Sequence, residues 1–167
     1  MERNRKLPQS RYYLRAARYG IELLVSQKPM DEGFLFLSVG ILASLRAVQH
    51  ALLNHDSGLS ARHKVVIEAW KKSTPMDGRE ITFIKTSRDL ILKAGAFNAY
   101  AGLRRGGIGE GASFKMTRET YDTGYYVGDE RRDLIADMRA AAEWCERELT
   151  VIGEQVPAIN LPGDTVE

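Results

Sequence analysis

Apolar residues recur every three or four positions along most of the chain, which is the spacing of one face of an α-helix. A first helix carries this spacing at Tyr13, Ala17, Ile21 and Leu24. Pro29 ends that helix, because proline restricts the residue before it to extended conformations. A last helix, beginning near Asp129, carries the same spacing at Leu134, Met138, Ala141, Cys145 and Leu149. The pattern therefore predicts a mainly α-helical protein.

The second predicted helix, from Asp31 to about His55, is apolar on more than one side. Its main stripe is Phe34, Leu37, Ile41, Leu45, Val48 and Leu52, and a second stripe is Leu35, Val39 and Leu42. Such a helix is either buried centrally or lies at a subunit interface. A ridge of small residues would let a partner helix approach closely: Gly40, Ser44, Ala47 and Ala51. We therefore expect a homodimer that forms through the second helix.

Two shorter helices and a different kind of segment fill the middle of the chain. Ser60 is placed to cap a third helix, whose apolar side is Val65, Val66, Ala69 and Trp70. Asp77 and Glu80 have the spacing of a capping box for a fourth helix, which Gly95 would end. From about residue 96 to 128 glycine is frequent and predicts a loop. Within it, β-prone segments at 113–117 and 125–127 flank Asp122-Thr123-Gly124, which would turn a small hairpin.

The predicted architecture is an up-and-down bundle of about five helices, with a glycine-rich loop and a small β-hairpin before the last helix. One domain over residues 1–155 and an extended tail over residues 156–167 follow from the pattern. The 167 residues, 44% of them apolar, suffice for one core and are too few for two comfortable domains.

The small numbers of cysteines and histidines, and the short length of the apolar runs, argue against several classes of protein. One cysteine cannot form an intramolecular disulfide, and three histidines leave little for a metal centre, so we expect no metal and no cofactor. Cys145 lies on the apolar stripe of the last helix near three glutamates, which favours a core thiol over a nucleophile. No uncharged apolar run reaches the about 18 residues of a membrane span, so we expect a cytoplasmic protein with no membrane partner.

The net charge of +2 hides two opposite local charges. Residues 1–18 carry six basic residues against Glu2, whereas residues 129–154 carry eight acidic residues against four arginines. Tyrosines lie between the basic residues, and this combination is typical of single-stranded nucleic acid binding. The candidate nucleic-acid-binding residues are Arg11, Arg15 and Arg18, with Arg104 and Arg105 of the glycine-rich segment. Equally, the two oppositely charged helices could attract each other within the fold or between subunits.

One segment resembles a known family. In residues 83–95, Arg88 is followed by Asp89, and Lys93 comes after three apolar residues. This helix resembles the late helix of HEPN-type bundles (higher-eukaryote and prokaryote nucleotide-binding), which often carry an arginine, a polar residue and, a few residues later, a histidine. The resemblance implies a dimer whose arginine motifs converge at its cleft. In active members it implies a metal-independent ribonuclease, with Arg88 steadying the phosphate.

Lys93 stands where that pattern has histidine, and it changes the functional prediction. A lysine side chain has an ordinary pKa of about 10.4, too high for a general base at neutral pH. Arg88, Asp89 and Lys93 are the candidate catalytic residues, but a solvated helix edge is the favoured interpretation of the three. We predict a non-catalytic protein that self-associates and binds a macromolecular partner, either protein or RNA. The alternatives are a HEPN-like ribonuclease or RNA-binding relative, and a small-molecule site lined by Trp70 and Trp144.

Overall fold

The computed structural model describes residues 6–75, 78–89, 99–108, 115–127 and 130–159. Over these residues the helices are α1 (Pro8–Gln27), α2 (Asp31–Asn54), α3 (Ala61–Ser73), α4 (Arg79–Asp89) and α5 (Leu134–Gln155). A 3-10 turn, Asp56–Gly58, joins α2 to α3. The strands β1 (Ala99–Ile108), β2 (Lys115–Val127) and β3 (Glu130–Arg132) form an antiparallel sheet in that order. The predicted mainly α-helical bundle with a small sheet before its last helix is confirmed.

The first two helices form a tight hairpin. α1 ends at Gln27, where Lys28 adopts a left-handed conformation, with φ of 47°, and donates its N–H to the Leu24 carbonyl at 3.2 Å. Farther along, Gly20 lies against Ile41 so closely that a β-carbon at Gly20 would sit 2.6 Å from the Ile41 side chain. Glycine is thus required where the two helices meet, because any larger residue would push them apart.

Helix α5 lies along the core and packs against the other helices. All five residues of its predicted stripe are at most 1% exposed: Leu134, Met138, Ala141, Cys145 and Leu149. Its start was predicted at Asp129, which is wrong, because residues 130–132 pair with β2 as strand β3. Asp133 instead caps the helix, and its carboxylate accepts the N–H groups of Ile135 and Ala136 at 3.0 and 3.1 Å.

Two adjacent residues in the first turn of α3 hold the beginning and the end of the described fold. His63 Nε2 donates to the Lys6 carbonyl at 2.8 Å, and Arg62 Nε donates to the Gln155 carbonyl at 3.1 Å. The start of α1, the start of α3 and the end of α5 therefore meet at one end of the bundle. The sheet lies at the opposite end, where the Tyr121 hydroxyl donates to the Pro29 carbonyl.

The sheet differs from the predicted hairpin in where it turns. β1 pairs with β2 from Ala99 opposite Tyr125 to Ile108 opposite Lys115, with an irregularity at Gly106 and Gly107. The predicted turn at residues 122–124 therefore lies inside β2, where Asp122, Thr123 and Gly124 pair with residues of β1. Much of the predicted glycine-rich loop is strand, because main-chain pairing with β2 outweighs the weak strand propensity of glycine.

Three smaller predictions have mixed outcomes. Ser60 caps α3 as predicted, accepting the His63 N–H at 3.2 Å. Val65, however, is 59% exposed, and Ile67 takes its expected place in the core. The small residues predicted to form a ridge on α2 lie on one side of the helix, but that side is unevenly exposed: Gly40 is exposed, whereas Ala51 is buried. The predicted cap at Asp77 and the stop at Gly95 lie outside the described residues.

Candidate functional site

Helix α2 exposes a stripe of mostly apolar residues, ending in a histidine, on the side that faces away from the core. We call this set the outward stripe: Phe36, Gly40, Ala43, Ala47 and His50. Its members recur at alternating steps of four and three, which keeps them on one side of a helix. Phe36 is 81% exposed, whereas the opposite side buries Phe34, Ile41 and Leu45 to 2% exposure or less. A phenylalanine left this open to water is the largest single apolar exposure among the described residues.

The side chains of the outward stripe also differ strongly in size. A β-carbon built at Gly40 would meet no atom within 4 Å, so the surface above the glycine is open. Ala43 and Ala47 extend this low region toward the end of the helix, while Phe36 projects beside it. The stripe therefore combines one bulky aromatic side chain with a row of small residues, Gly40, Ala43 and Ala47, which we call the small-residue channel.

The apolar character of α2 also meets the length and composition test for a membrane span. Within the segment Glu32–Gly58, the most apolar 18-residue window has a mean hydropathy of 1.5, and 44% of that window is buried inside the fold. The buried part is the inner side of α2, which packs against α1, α4 and α5. The remaining apolar area is the part that includes Phe36.

The basic residues of α1 are partly engaged by α5. The Arg11 side chain is 9% exposed; its guanidinium binds Glu146 Oε1 at 3.0 Å and the Leu149 carbonyl at 3.3 Å. Arg18 binds the other oxygen of the same carboxylate at 3.1 Å. The opposite charges of the first and last helices thus attract each other within the fold, one of the two alternatives that the sequence left open. Arg11 consequently offers little surface to a phosphate group.

A smaller aromatic and basic surface remains on the outer side of α1. Tyr12 and Tyr19 are 58% and 63% exposed, and Arg15, between them, is also exposed. Positions i, i+3 and i+7 lie on one side of a helix, so the three side chains share a face. Arg15 forms no ion pair with any described residue. This face keeps the aromatic and cationic groups that the sequence suggested for nucleic acid.

The other predicted site residues are only partly located. Arg88 and Asp89 are the last two residues of α4, and Lys93 lies outside the described residues. Arg104 and Arg105 lie in β1, opposite Thr120 and Glu119 of β2. The HEPN-like arrangement of Arg88, Asp89 and Lys93 therefore stays a prediction.

The cysteine and the buried histidine both have structural surroundings. Cys145 is 1% exposed, and burial, with Glu148 nearby, raises the pKa of its thiol to about 12. His63 is fully buried and uses both ring nitrogens: Nε2 donates to the Lys6 carbonyl, so Nδ1 is left to pair with the Ser60 hydroxyl at 2.7 Å. Throughout the described ranges, no three His, Cys, Asp or Glu side chains are grouped to hold a metal ion.

The tryptophans proposed for a small-molecule site belong to the core. The Trp70 indole is 8% exposed and donates to Glu148 Oε2 at 2.5 Å, while half-buried Trp144 packs against the core. A groove of about 390 Å³ does lie between α1 and α5. It is open and lined by side chains of both charge signs, with Arg18, Glu22, Arg139 and Glu143 around an apolar floor. It provides no enclosed aromatic pocket for a ligand.

Two buried carboxylates were not predicted from the sequence. Asp56 is fully buried and accepts hydrogen bonds from the Gln9 and Ser10 N–H groups and from the Ser10 hydroxyl. Asp137 accepts from the Tyr125 hydroxyl at 2.7 Å and pairs with Arg79 at 2.8 Å. Burial and the contact with Asp137 raise the pKa of Tyr125, so its hydroxyl stays a proton donor. Both carboxylates join separate elements of the fold.

Comparison of the chain with protein-family models, with curated proteins and with solved structures finds no match in any of the three. The outward stripe of α2 and the exposed face of α1 are therefore interpreted from their physical chemistry alone.

Proposed function

We propose that this is a non-catalytic interaction protein that works as a homodimer formed through the outward stripe of α2. The observation that supports the proposal is Phe36, 81% exposed beside a channel of small residues. Burying apolar surface contributes roughly 25 cal/mol per Å², so covering a phenylalanine and its flanks favours association. The dimer in turn presents its other surfaces twice, which raises its avidity for a macromolecular partner that has repeated sites.

A cytoplasmic location is part of the same proposal. The chain has one cysteine, and its thiol is buried and reduced in the fold, as is usual in reducing compartments. The packing of α2 inside the bundle supports a protein that works in water. The partner that covers α2 is then a second protein surface and not a lipid bilayer.

The test is the molecular mass in solution, measured by sedimentation velocity over a range of concentrations. We expect the wild-type protein to be a dimer and the Phe36→Asp variant to be a monomer, because an aspartate cannot be buried in an apolar contact without a partner. Val65→Asp is the matched control, since Val65 is a 59% exposed apolar residue on α3, and it should leave the dimer intact.

Two results would overturn the dimer proposal. One is a wild-type protein that stays monomeric at high micromolar concentration. The other is flotation of the wild-type protein with neutral phosphatidylcholine vesicles that Phe36→Asp abolishes, because the stripe would then be a membrane contact. Circular dichroism of both variants checks that they fold; both substitutions are at exposed positions, so unfolding is not expected.

The second candidate function is binding of single-stranded RNA by the exposed face of α1. It is supported by Tyr12 and Tyr19, both more than half exposed, and by exposed Arg15 between them, which forms no ion pair with a described residue. Aromatic rings stack on bases, at about 1–3 kcal/mol per base, and the guanidinium attracts phosphate. The HEPN-like ribonuclease is the catalytic form of this candidate, with Arg88 as the phosphate-binding residue.

Titration of a fluorescent single-stranded RNA at several salt concentrations tests this candidate. Arg15→Ala and Tyr19→Ala should each weaken binding several-fold, whereas Arg147→Ala, an exposed arginine on α5, should not. Cleavage of the RNA that Arg88→Ala abolishes would favour the ribonuclease over the non-catalytic protein. Absence of both salt-sensitive binding and cleavage would remove RNA from consideration.

A further inference from the structure

We propose that the two copies pair with their α2 helices antiparallel, with Phe36 of each copy seated in the small-residue channel of the other. This inference rests on the homodimer proposed above and adds its geometry. A two-fold axis would pass between Gly40 and Ala43. The first reason is the spacing of the outward stripe itself.

The stripe is symmetric about that axis in the antiparallel arrangement. Phe36 and Ala47 lie equally far from the midpoint between Gly40 and Ala43, about 8 Å along a helix that rises ~1.5 Å per residue. Rotation by 180° therefore places Phe36 opposite Ala47 of the partner subunit and Gly40 opposite Ala43 of the partner subunit. Each contact occurs twice, as in any interface between identical surfaces with two-fold symmetry.

Shape complementarity argues against the parallel alternative. In a parallel pair the two Phe36 rings would face each other, and the two Ala47 positions would face each other as well. Rings in mutual contact hold the helices apart at one end, and the channels are then left as a gap that loses dispersion contacts. The antiparallel pair fills each channel with a ring and lets the helices approach at Gly40, where a β-carbon would meet nothing within 4 Å.

Charge complementarity favours the same arrangement. Exposed Glu32 lies near the beginning of α2, and exposed His50 lies on the stripe near its end. Antiparallel pairing brings Glu32 beside His50 of the partner subunit, and it opposes the two helix dipoles. Parallel pairing would instead bring two Glu32 carboxylates together, and like charges at a contact are destabilising.

Cysteine cross-linking distinguishes the two arrangements. Cys145 is 1% exposed, so an introduced surface cysteine is the only thiol expected to react in the native state. Ala43→Cys lies near the proposed axis and should form a covalent dimer under mild oxidation or with a short bifunctional maleimide. Glu32→Cys should not, because in the antiparallel dimer the two introduced thiols lie about 28 Å apart along the helices. A mixture of Glu32→Cys and His50→Cys proteins should cross-link to each other.

Gly40→Leu provides an independent measurement. The leucine side chain enters open space in the monomer, so we expect folding to be unchanged, but in the dimer it would occupy the space opposite Ala43 of the partner subunit, where the two helices approach. The dimer dissociation constant should rise at least tenfold.

Failure of this inference and failure of the homodimer give different results. A wild-type dimer in which Glu32→Cys cross-links to itself and Ala43→Cys does not would establish a parallel pair; it would overturn the antiparallel geometry and leave the homodimer standing. A dimer in which neither position cross-links would place the interface elsewhere and overturn both proposals. A monomeric wild-type protein would also overturn both.

Discussion

The N-terminus of α1 takes its capping group from another part of the chain. Leu7, at the cap position, has no side chain that can accept a hydrogen bond, and the first N–H groups of a helix lack partners within it. Asp56, in the 3-10 turn after α2, supplies that acceptor: its oxygens lie 3.2 Å from the Gln9 nitrogen and 3.0 Å from the Ser10 nitrogen. One buried carboxylate thus joins two elements that are 46 residues apart in sequence.

At this residue scale we expect Asp56→Ala to lower the free energy of unfolding by about 3 kcal/mol, because buried donors at Ser10 lose a charged acceptor. Asp133→Ala removes a cap of the same chemistry at an exposed site and should lower it by only about 1 kcal/mol. Chemical denaturation of both variants is the measurement. Equal losses would show that burial of Asp56 adds nothing to its capping role.

Cys145 gives the stability of the protein a defined dependence on alkaline pH. Burial raises the pKa of the folded thiol from 9.0 to about 12, so above pH 9 the unfolded chain releases a proton that the folded chain keeps. This contribution to stability is fully present below pH 9 and decreases as pH rises through the next units, by up to about 1.4 kcal/mol per unit. Cys145→Ala should lower stability at neutral pH and reduce the alkaline slope by one proton. An unchanged slope would contradict the assignment.

At the scale of elements, Glu146 joins α1 to α5 by binding two arginines of unequal burial. The side chains of Arg11 and Arg18 are 9% and 45% exposed. We expect Glu146→Gln to lower the free energy of unfolding by about 2 kcal/mol, because the buried Arg11 charge loses its partner. Arg18→Ala should change it by less than about 1 kcal/mol, since exposed ion pairs contribute little. Thermal unfolding of the two variants at neutral pH measures the difference.

The elements that could be predicted from the sequence are those whose signal is local. Residues on one helix face are three or four positions apart, so the core stripe of α5 follows from spacing. The end of α1 follows from Pro29, although Lys28 before it is left-handed and not extended as expected. Strand β1 could not be predicted, because its glycines become strand only through main-chain pairing with β2, which is distant in sequence. The prediction that Val65 is buried is wrong for a related reason. Residues 65–67 are all apolar, so tertiary contacts, and not the sequence pattern, determine which of them face the core.

The features of the candidate site also fall into those that the sequence predicts and those that depend on tertiary packing. That α2 has more apolar surface than one core-facing side needs is visible in the sequence, but which residues stay exposed depends on how α1, α4 and α5 pack around it. The outward stripe therefore includes Gly40 and Ala47 of the predicted small-residue ridge, but not Ser44 or Ala51. On α1, the charge pattern indicated attraction to an acidic surface, whereas only the packing shows that Glu146 engages Arg11 and Arg18.

At the scale of the whole molecule, a dimer through α2 makes thermal stability depend on concentration. Association stabilises the folded state by mass action, so the melting temperature of the wild-type protein should rise with protein concentration. Phe36→Asp, as a monomer, should melt at one temperature over the same dilution series. Calorimetry of both proteins is the measurement, and a wild-type melting temperature independent of concentration would count against association.

The contacts made by the first turn of α3 allow the connectivity of the chain to be changed. Because Arg62 and His63 are neighbours, the carbonyls of Lys6 and Gln155 that they hold are close together in space. A short flexible linker could therefore join residue 159 to residue 6, and new ends could be opened elsewhere without disturbing the bundle. If the new ends were opened at the sheet end of the molecule, a fused reporter would be attached there, and the outward stripe of α2 would stay free.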